Sequence, residues 1–357
     1  MIFSKIAKRR PVVAERSLNG SGSCRILING EKQLTVQCGT SLLSALRGQK
    51  IFLPSACGGR GLCAYCKCKV FRGGGDLLPA ETSLLSSEEI DKGFRLACQV
   101  KVTNDLEIKI PEKLFRIGVF RAKVDRIDDL TYDIKFVRLR LEDGEEIHFT
   151  PGQYVQLQSK PYEGVKTSVS RAYSIASPSS ETKSVDLMIR LVPDGICTTW
   201  VHKYLQTGES VTFTGPMGDF RLHEGEGEIV MVAGGSGMAP MVSLLSELIR
   251  SKSGRKVTYF FGAVTKRDLF YMNEIDIFMK EIPNFKFVPA LSQPAPEDAW
   301  EGVTGLITVP LENYLKTIEP SQAQGYMCGS PGMIKACMGV FNKNGVSSDR
   351  IFFDPFA

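Results

Sequence analysis

The chain has 357 residues, 43% of them apolar and 23% charged, with a net charge of +5. That supports two or three domains with cores of their own. No run of 18 apolar residues occurs, so the sequence shows no membrane-spanning helix or secretory leader. The mild charge carries no basic–aromatic stripe, which leaves nucleic-acid binding unsupported. The cluster Lys5, Lys8, Arg9 and Arg10 reads as a solvated tail; contact with an acidic membrane surface or partner is the sharper alternative. Ten cysteines are many for this length, and without a leader they favour a reducing, cytoplasmic compartment and a metal.

Residues 1–23 have a flexible-tail composition. Arg25–Ile28 and Leu34–Gln37 predict short strands around an Asn29-Gly30 turn. Thr40 is the expected N-cap of a helix over Leu42–Gly48, with Leu42, Leu43 and Leu46 on one side. A cysteine loop follows, then a strand over Lys67–Phe71, a Gly73-Gly74-Gly75 break, an acidic helix over Ser86–Asp91 and a strand over Asp105–Ile110. This order is that of a β-grasp unit. Pro111-Glu112-Lys113 reads as a linker. Six short β runs from Gly118 to Thr214 predict a small antiparallel barrel. After Gly227 strands and helices alternate: Ile229–Ala233, Ala239–Ser251, Lys256–Phe261, Leu269–Lys280, Phe285–Ala290, and later Gly325–Cys328. That pattern predicts a doubly wound parallel sheet. The fold class expected is multidomain α+β and α/β, divided at 24–112, 113–224 and 225–357.

The cysteine loop reads Cys57-Gly58-Gly59-Arg60-Gly61-Leu62-Cys63-Ala64-Tyr65-Cys66, with Cys98 further on. Three thiolates from one loop plus a distant fourth suit a 2Fe-2S cluster. The glycines let backbone N–H groups approach the sulfurs. Zinc is the alternative, but zinc ribbons use paired C-x2-C knuckles and only one pair occurs. Cys24, Cys38, Cys68 and Cys337 read as packed core residues.

Arg171-Ala172-Tyr173-Ser174 provides an arginine for a flavin pyrophosphate, an aromatic ring to cover the isoalloxazine and a hydroxyl for its reactive nitrogen. Downstream, Gly195, Thr198 and Thr199 open a helix suited to pyrophosphate. Gly215-Pro216-Met217-Gly218-Asp219-Phe220 closes the barrel. Gly234, Gly235, Gly237, Met238 and Pro240 form a glycine loop between a buried strand and a helix, a phosphate site by geometry and dipole. Cys328 and Gly329 lie at a second strand-to-helix turn facing it. Cys328 reads either as a neighbour of the nicotinamide or as a buried structural thiol. His148, His202 and His223 read as surface or packing residues.

The order of ferredoxin-like cysteines, RxYS, GPxGxF, GGxGMAP and CGxPxM resembles the ferredoxin–NADP reductase superfamily with a fused iron–sulfur domain. Within it, the chain is similar to the family of F subunits of sodium-translocating NADH:quinone reductases. Gly73–Pro79, Arg95–Val100, Phe270-Tyr271 and Asp354-Pro355-Phe356 carry that likeness. The resemblance covers residues 24–357. Family members also have an N-terminal membrane helix and a long insertion before RxYS; here only twelve residues separate Gln158 from Arg171. The resemblance implies that Phe356, with Phe353 as second candidate, covers the flavin face where nicotinamide docks. Lys266 and Arg267 offer a 2′-phosphate site, but the family uses NADH with a similar basic pair, so NADH is the expected donor.

The expected chemistry is hydride transfer from NADH to FAD, with Tyr173, Ser174, Cys328 and Phe356 nearest the reaction, then single electrons to the cluster. Three acceptor readings stand. A membrane quinone-reducing complex places the chain peripherally on the inner membrane face. A soluble oxygenase component, or an activator of a corrinoid protein, shares every motif. A non-enzymatic electron-transfer docking module is the third.

Overall fold

The computed structural model describes residues 22–55 and 57–355; the basic tail cluster and Phe356 lie outside them. The first unit is a five-stranded sheet of β1 (Ser23–Ile28), β2 (Lys32–Gln37), β3 (Lys67–Arg72), β4 (Phe94–Leu96) and β5 (Leu106–Lys109), in the order β2-β1-β5-β3-β4. β1 and β5 run parallel and the other pairs antiparallel, as in a β-grasp. Helix Leu42–Gly48 buries Leu42, Leu43, Ala45 and Leu46 against this sheet. Its cap is Ser41, which accepts from the Ser44 N–H, and not Thr40, whose hydroxyl donates to Gln37 O. Strand β1 begins at Ser23, within the stretch whose composition predicts a tail.

Cys68 and Cys337 are buried core thiols as expected. Cys24 and Cys38 are joined as a disulfide, with Cα atoms 5.4 Å apart. Pairing of β1 with β2 sets Cys24 opposite Val36. The period of two then places Cys38 on the same face as Cys24.

The barrel comprises β6 (Gly118–Asp129), β7 (Ile134–Leu141), β8 (Tyr154–Gln158), β9 (Ser170–Ser174), β10 (Ser184–Arg190) and β11 (Ser210–Met217). Their order is β10-β7-β6-β11-β8-β9, and an Ile175–Leu187 bridge joins the ends. Trp200 and Phe213 fill its interior. The supposed linker is a 3₁₀ turn, Glu112–Arg116. Leu114 and Ile117 there bury into the β-grasp core, alongside Tyr154 and Met217 from the barrel.

The third sheet has β12 (Ile229–Gly234), β13 (Val257–Ala263), β14 (Phe285–Leu291), β15 (Val303–Thr304), β16 (Gln324–Gly329) and β17 (Ile351–Pro355). All pairs are parallel, in the order β15-β14-β13-β12-β16-β17. Strand order reverses between β12 and β16, the switch point where open α/β sheets bind ligands. β12 is a continuous apolar run with Ile229 to Ala233 all buried, because helices cover both sheet faces. Among the described residues no helix is long and apolar enough to cross a membrane.

Candidate functional site

The cysteine loop curls through Gly58, Gly59 and Gly61 at φ of +68°, +90° and +73°, a backbone that side chains rarely adopt. The curl turns N–H groups inward. Those of Leu62, Arg60 and Gly59 face the Cys57 sulfur, and that of Gly61 faces Cys98. The sulfurs fall into two pairs. Cys63 Sγ lies 3.4 Å from Cys57 Sγ, and Cys66 pairs with Cys98. The bond from Cys63, helped by the backbone donors, pulls the Cys57 thiol well below its ordinary range. Gln99 Nε2 reaches Cys98 Sγ at 3.3 Å. Among the described residues no three His, Cys, Asp or Glu side chains converge as they would on one ion. Two thiol pairs ringed by N–H donors fit a two-iron cluster and not a single zinc.

Alternation along β9 separates Arg171 and Tyr173 from Ala172 and Ser174. The Arg171 guanidinium bonds Ser170 O at 2.8 Å and lies against the cysteine loop, where a Cβ on Gly58 would sit 2.5 Å from Arg171 Nη1. The Tyr154 hydroxyl is buried without a hydrogen-bond partner, whereas that of Tyr173 is buried against the Cys197 thiol in the barrel core. A cavity of about 350 Å³ opens between the three units, lined among others by Tyr65, Tyr154, Phe220, Phe353 and Asp354. The orphaned Tyr154 phenol on the wall of an aromatic cavity of this size suits a flavin, whereas Tyr173 packs on the barrel core and is not part of that wall.

Helix Ile196–Lys203 starts at Gly195, but the Thr198 hydroxyl is engaged by its own turn, at Val192 and Gly195. Thr199 N bonds Gly195 O.

At the switch point the two glycine loops interlock. A Cβ on Gly237 would meet Cys328 O at 2.3 Å, and Gly329 packs on Gly234. Helix Met238–Arg250 starts there; Pro240 stands in its first turn, where an N–H has no helical partner to lose. The Met238 side chain turns into the core, where Tyr259 Oη donates to its sulfur. Cys328 is fully buried, and burial, with Asp354 nearby, pushes its thiol up.

Sequence reasoning missed Asp354 as a hub. Its carboxylate accepts from Tyr65 Oη at 3.1 Å and Ser174 Oγ at 3.4 Å. Burial pushes it up to about 6, against the pull of those two bonds. Arg190 was also missed: its Nη1 lies 3.4 Å from where a Gly235 Cβ would stand, and its Nε bonds Asp133. Of the candidate basic pair, Lys266 is tied to Asp298 and Arg267 lies over the Tyr132 ring at 4.2 Å. His202 bonds Ile189 O, and His223 stacks on Phe352, both packing roles.

Three domain families match: the 2Fe-2S iron-sulfur cluster binding domain over 26–103, the oxidoreductase FAD-binding domain over 121–222 and the oxidoreductase NAD-binding domain over 231–338. Among solved structures, the Amycolatopsis cytochrome P450 reductase GcoB is 29% identical, with a TM-score of 0.74 over 93% of this chain and 98% of its own. The ferredoxin reductase in carbazole 1,9a-dioxygenase is 28% identical, with a TM-score of 0.73 over 94% and 99%. Fold and site thus define a flavin- and iron–sulfur-dependent NADH oxidoreductase of the ferredoxin-reductase type. Electrons pass from NADH through FAD to the 2Fe-2S cluster.

The F subunit of the Na(+)-translocating NADH-quinone reductase of Pseudomonas aeruginosa is 39% identical over 97% of this chain and 94% of its own. That of Neisseria meningitidis is 37% identical over 96% and 94%. The chain belongs to this family of F subunits. The Pseudomonas alignment spans 382 positions, more than the chain has residues, so those relatives carry stretches without a counterpart here.

Proposed function

We propose that this chain delivers electrons from NADH to the membrane subunits of a quinone-reducing assembly, with its 2Fe-2S cluster as the exit. Cys57 with Cys63, and Cys66 with Cys98, hold the two irons. Arg171 pairs with the FAD pyrophosphate beside Gly195 and Thr199, Tyr173 covers the ring, and Ser174 bonds its reactive nitrogen. The loop of Gly234, Gly235 and Gly237, fixed by Met238 and Pro240, holds the NADH pyrophosphate, while Cys328 and Gly329 shape the nicotinamide seat. The divisions between the three units fall near residues 112 and 224. Bound FAD supplies the conversion from two-electron to one-electron chemistry. The protein's own contribution is placement.

The observation that carries this reading is the contact of Gly58 with Arg171, which puts the cluster loop directly on the flavin strand. Lys266 and Arg267, occupied by Asp298 and Tyr132, support NADH over NADPH. Cys63→Ser tests the route. NADH should still bleach the flavin at close to the parent rate, while reduction of ferricyanide-type one-electron acceptors falls at least a hundredfold. Loss of both together would refute the arrangement.

The match to GcoB and the carbazole dioxygenase reductase over nearly their whole lengths favours a second reading, a reductase for a soluble oxygenase. Turnover with quinone-reductase membranes but not with soluble oxygenase components would decide for the first.

A further inference from the structure

Tyr65 stands between two proposed ligands, Cys63 and Cys66, yet its hydroxyl bonds elsewhere. It donates to Asp354 Oδ1 at 3.1 Å, across 289 residues of sequence. The second oxygen of the same carboxylate accepts from Ser174 Oγ at 3.4 Å. Asp354 is itself fixed by its register with Cys328 across β16 and β17. One carboxylate therefore joins the cluster loop, the flavin strand and the edge of the nucleotide sheet. The Tyr65 ring also lies beside that of Tyr154, centroids 6.4 Å apart and planes at 22°. Tyr154 is the register partner of Ser174.

The start of the loop has its own tether, since the buried Gln156 donates to Ser55 O at 2.6 Å. At the far end Cys66 is anchored by Ala97 N–H on its carbonyl, at 3.0 Å, and by β3; the stretch between the two anchors, which carries Cys63, reaches the flavin strand through Tyr65. We propose that Tyr65 is a positioning residue for the flavin-to-cluster step. Its bond to Asp354 clamps the Cys63 stretch of the loop against the flavin strand. Electron transfer weakens steeply with separation, so a loosened loop loses rate at this step more than at hydride transfer. The inference rests on the residue roles proposed above.

Tyr65→Phe keeps the ring and removes only the bond. In the full chain with FAD and cluster, rapid mixing with NADH follows flavin bleaching and cluster reduction separately, and the second is scored as its ratio to the first. That ratio, with the cluster followed by its own absorbance, should fall about tenfold, the scale of one charge-assisted hydrogen bond. Amide hydrogen exchange should rise together in 62–66 and 351–354 and stay unchanged elsewhere. Asp354→Asn retains an acceptor for Tyr65 and should keep 62–66 protected. A ratio within twofold of the parent's, or exchange raised evenly along the chain, would overturn the proposal. Failure of NADH to bleach the unaltered chain would instead sink the underlying reading.

Discussion

Arg95 and Glu81 form a buried pair beneath the loop of residues 73–79. Arg95 Nε and Nη2 bond the two Glu81 oxygens at 2.8 and 2.7 Å. Its guanidinium also holds the carbonyls of Gly74, Gly75 and Asp76 at 2.8 to 3.0 Å. Glu81 is fully buried and accepts from the N–H groups of Leu78 and Leu96 as well. Arg95→Met leaves that carboxylate with two backbone donors and no cation. Breaking a buried pair from one side costs about 3–5 kcal/mol, whereas apolar replacement of both partners is close to neutral. The three loop carbonyls can turn to water and add little. Arg95→Met should therefore lower the unfolding free energy of the β-grasp unit by about 3 kcal/mol or more. Glu81→Leu with Arg95→Met should recover most of it. Urea unfolding followed by loss of the cluster absorbance reads this unit apart from the others. A single variant costing under about 1 kcal/mol, or a double variant worse than the single, would refute the reasoning. The pH dependence is a second check. Burial pushes Glu81 up, but Arg95 and the two N–H groups outweigh it and set its carboxyl below the usual range. Its contribution is then full above the unfolded value of about 4.3 and lost as pH falls through the folded one. Arg95→Met should weaken that acid limb.

Asp354 behaves in the opposite sense. Burial raises it to about 6, so its contribution is full below the unfolded value of about 3.9 and lost as pH rises through about 6. Relative to Asp354→Asn, the parent should lose roughly 3 kcal/mol across that window; parallel calorimetric profiles from pH 4 to 7 would contradict this. Gly237→Ala would place a Cβ 2.3 Å from Cys328 O and push the two loops apart. Half-saturation by NADH should rise at least tenfold while chemical reduction of the cluster is unaffected. Unchanged NADH saturation would show that this turn does not hold the nucleotide.

What the sequence made legible was what local pattern decides. Helix Leu42–Gly48 falls where periodicity put it, and the six β runs expected between Gly118 and Thr214 become β6 to β11, because each buries its own apolar stripe. Ser41 and Thr40 are equally good caps by type, and only the bond of Thr40 back to Gln37 O separates them. β4, helix Thr308–Leu315 and β17 were not seen: three-residue strands carry no period, and Ile351–Pro355 reads like a loop end until β16 pairs with it. Asp354 illustrates the limit at the site. A carboxylate after Ile351-Phe352-Phe353 is an unusual thing to bury, and that was its one local signal. Its partners lie 289 and 180 residues away, a relation that only the packed domains create.

The turn from Glu112 to Arg116 has a mechanical consequence. Leu114 and Ile117 are sunk in the same core as Tyr154 and Met217, so the β-grasp unit has no free hinge and borrows part of its lid from the barrel. Swinging it away would strip four apolar side chains at once. An acceptor that meets the iron–sulfur module in this docked position leaves that shared core covered, whereas one that draws the module away must offset its exposure.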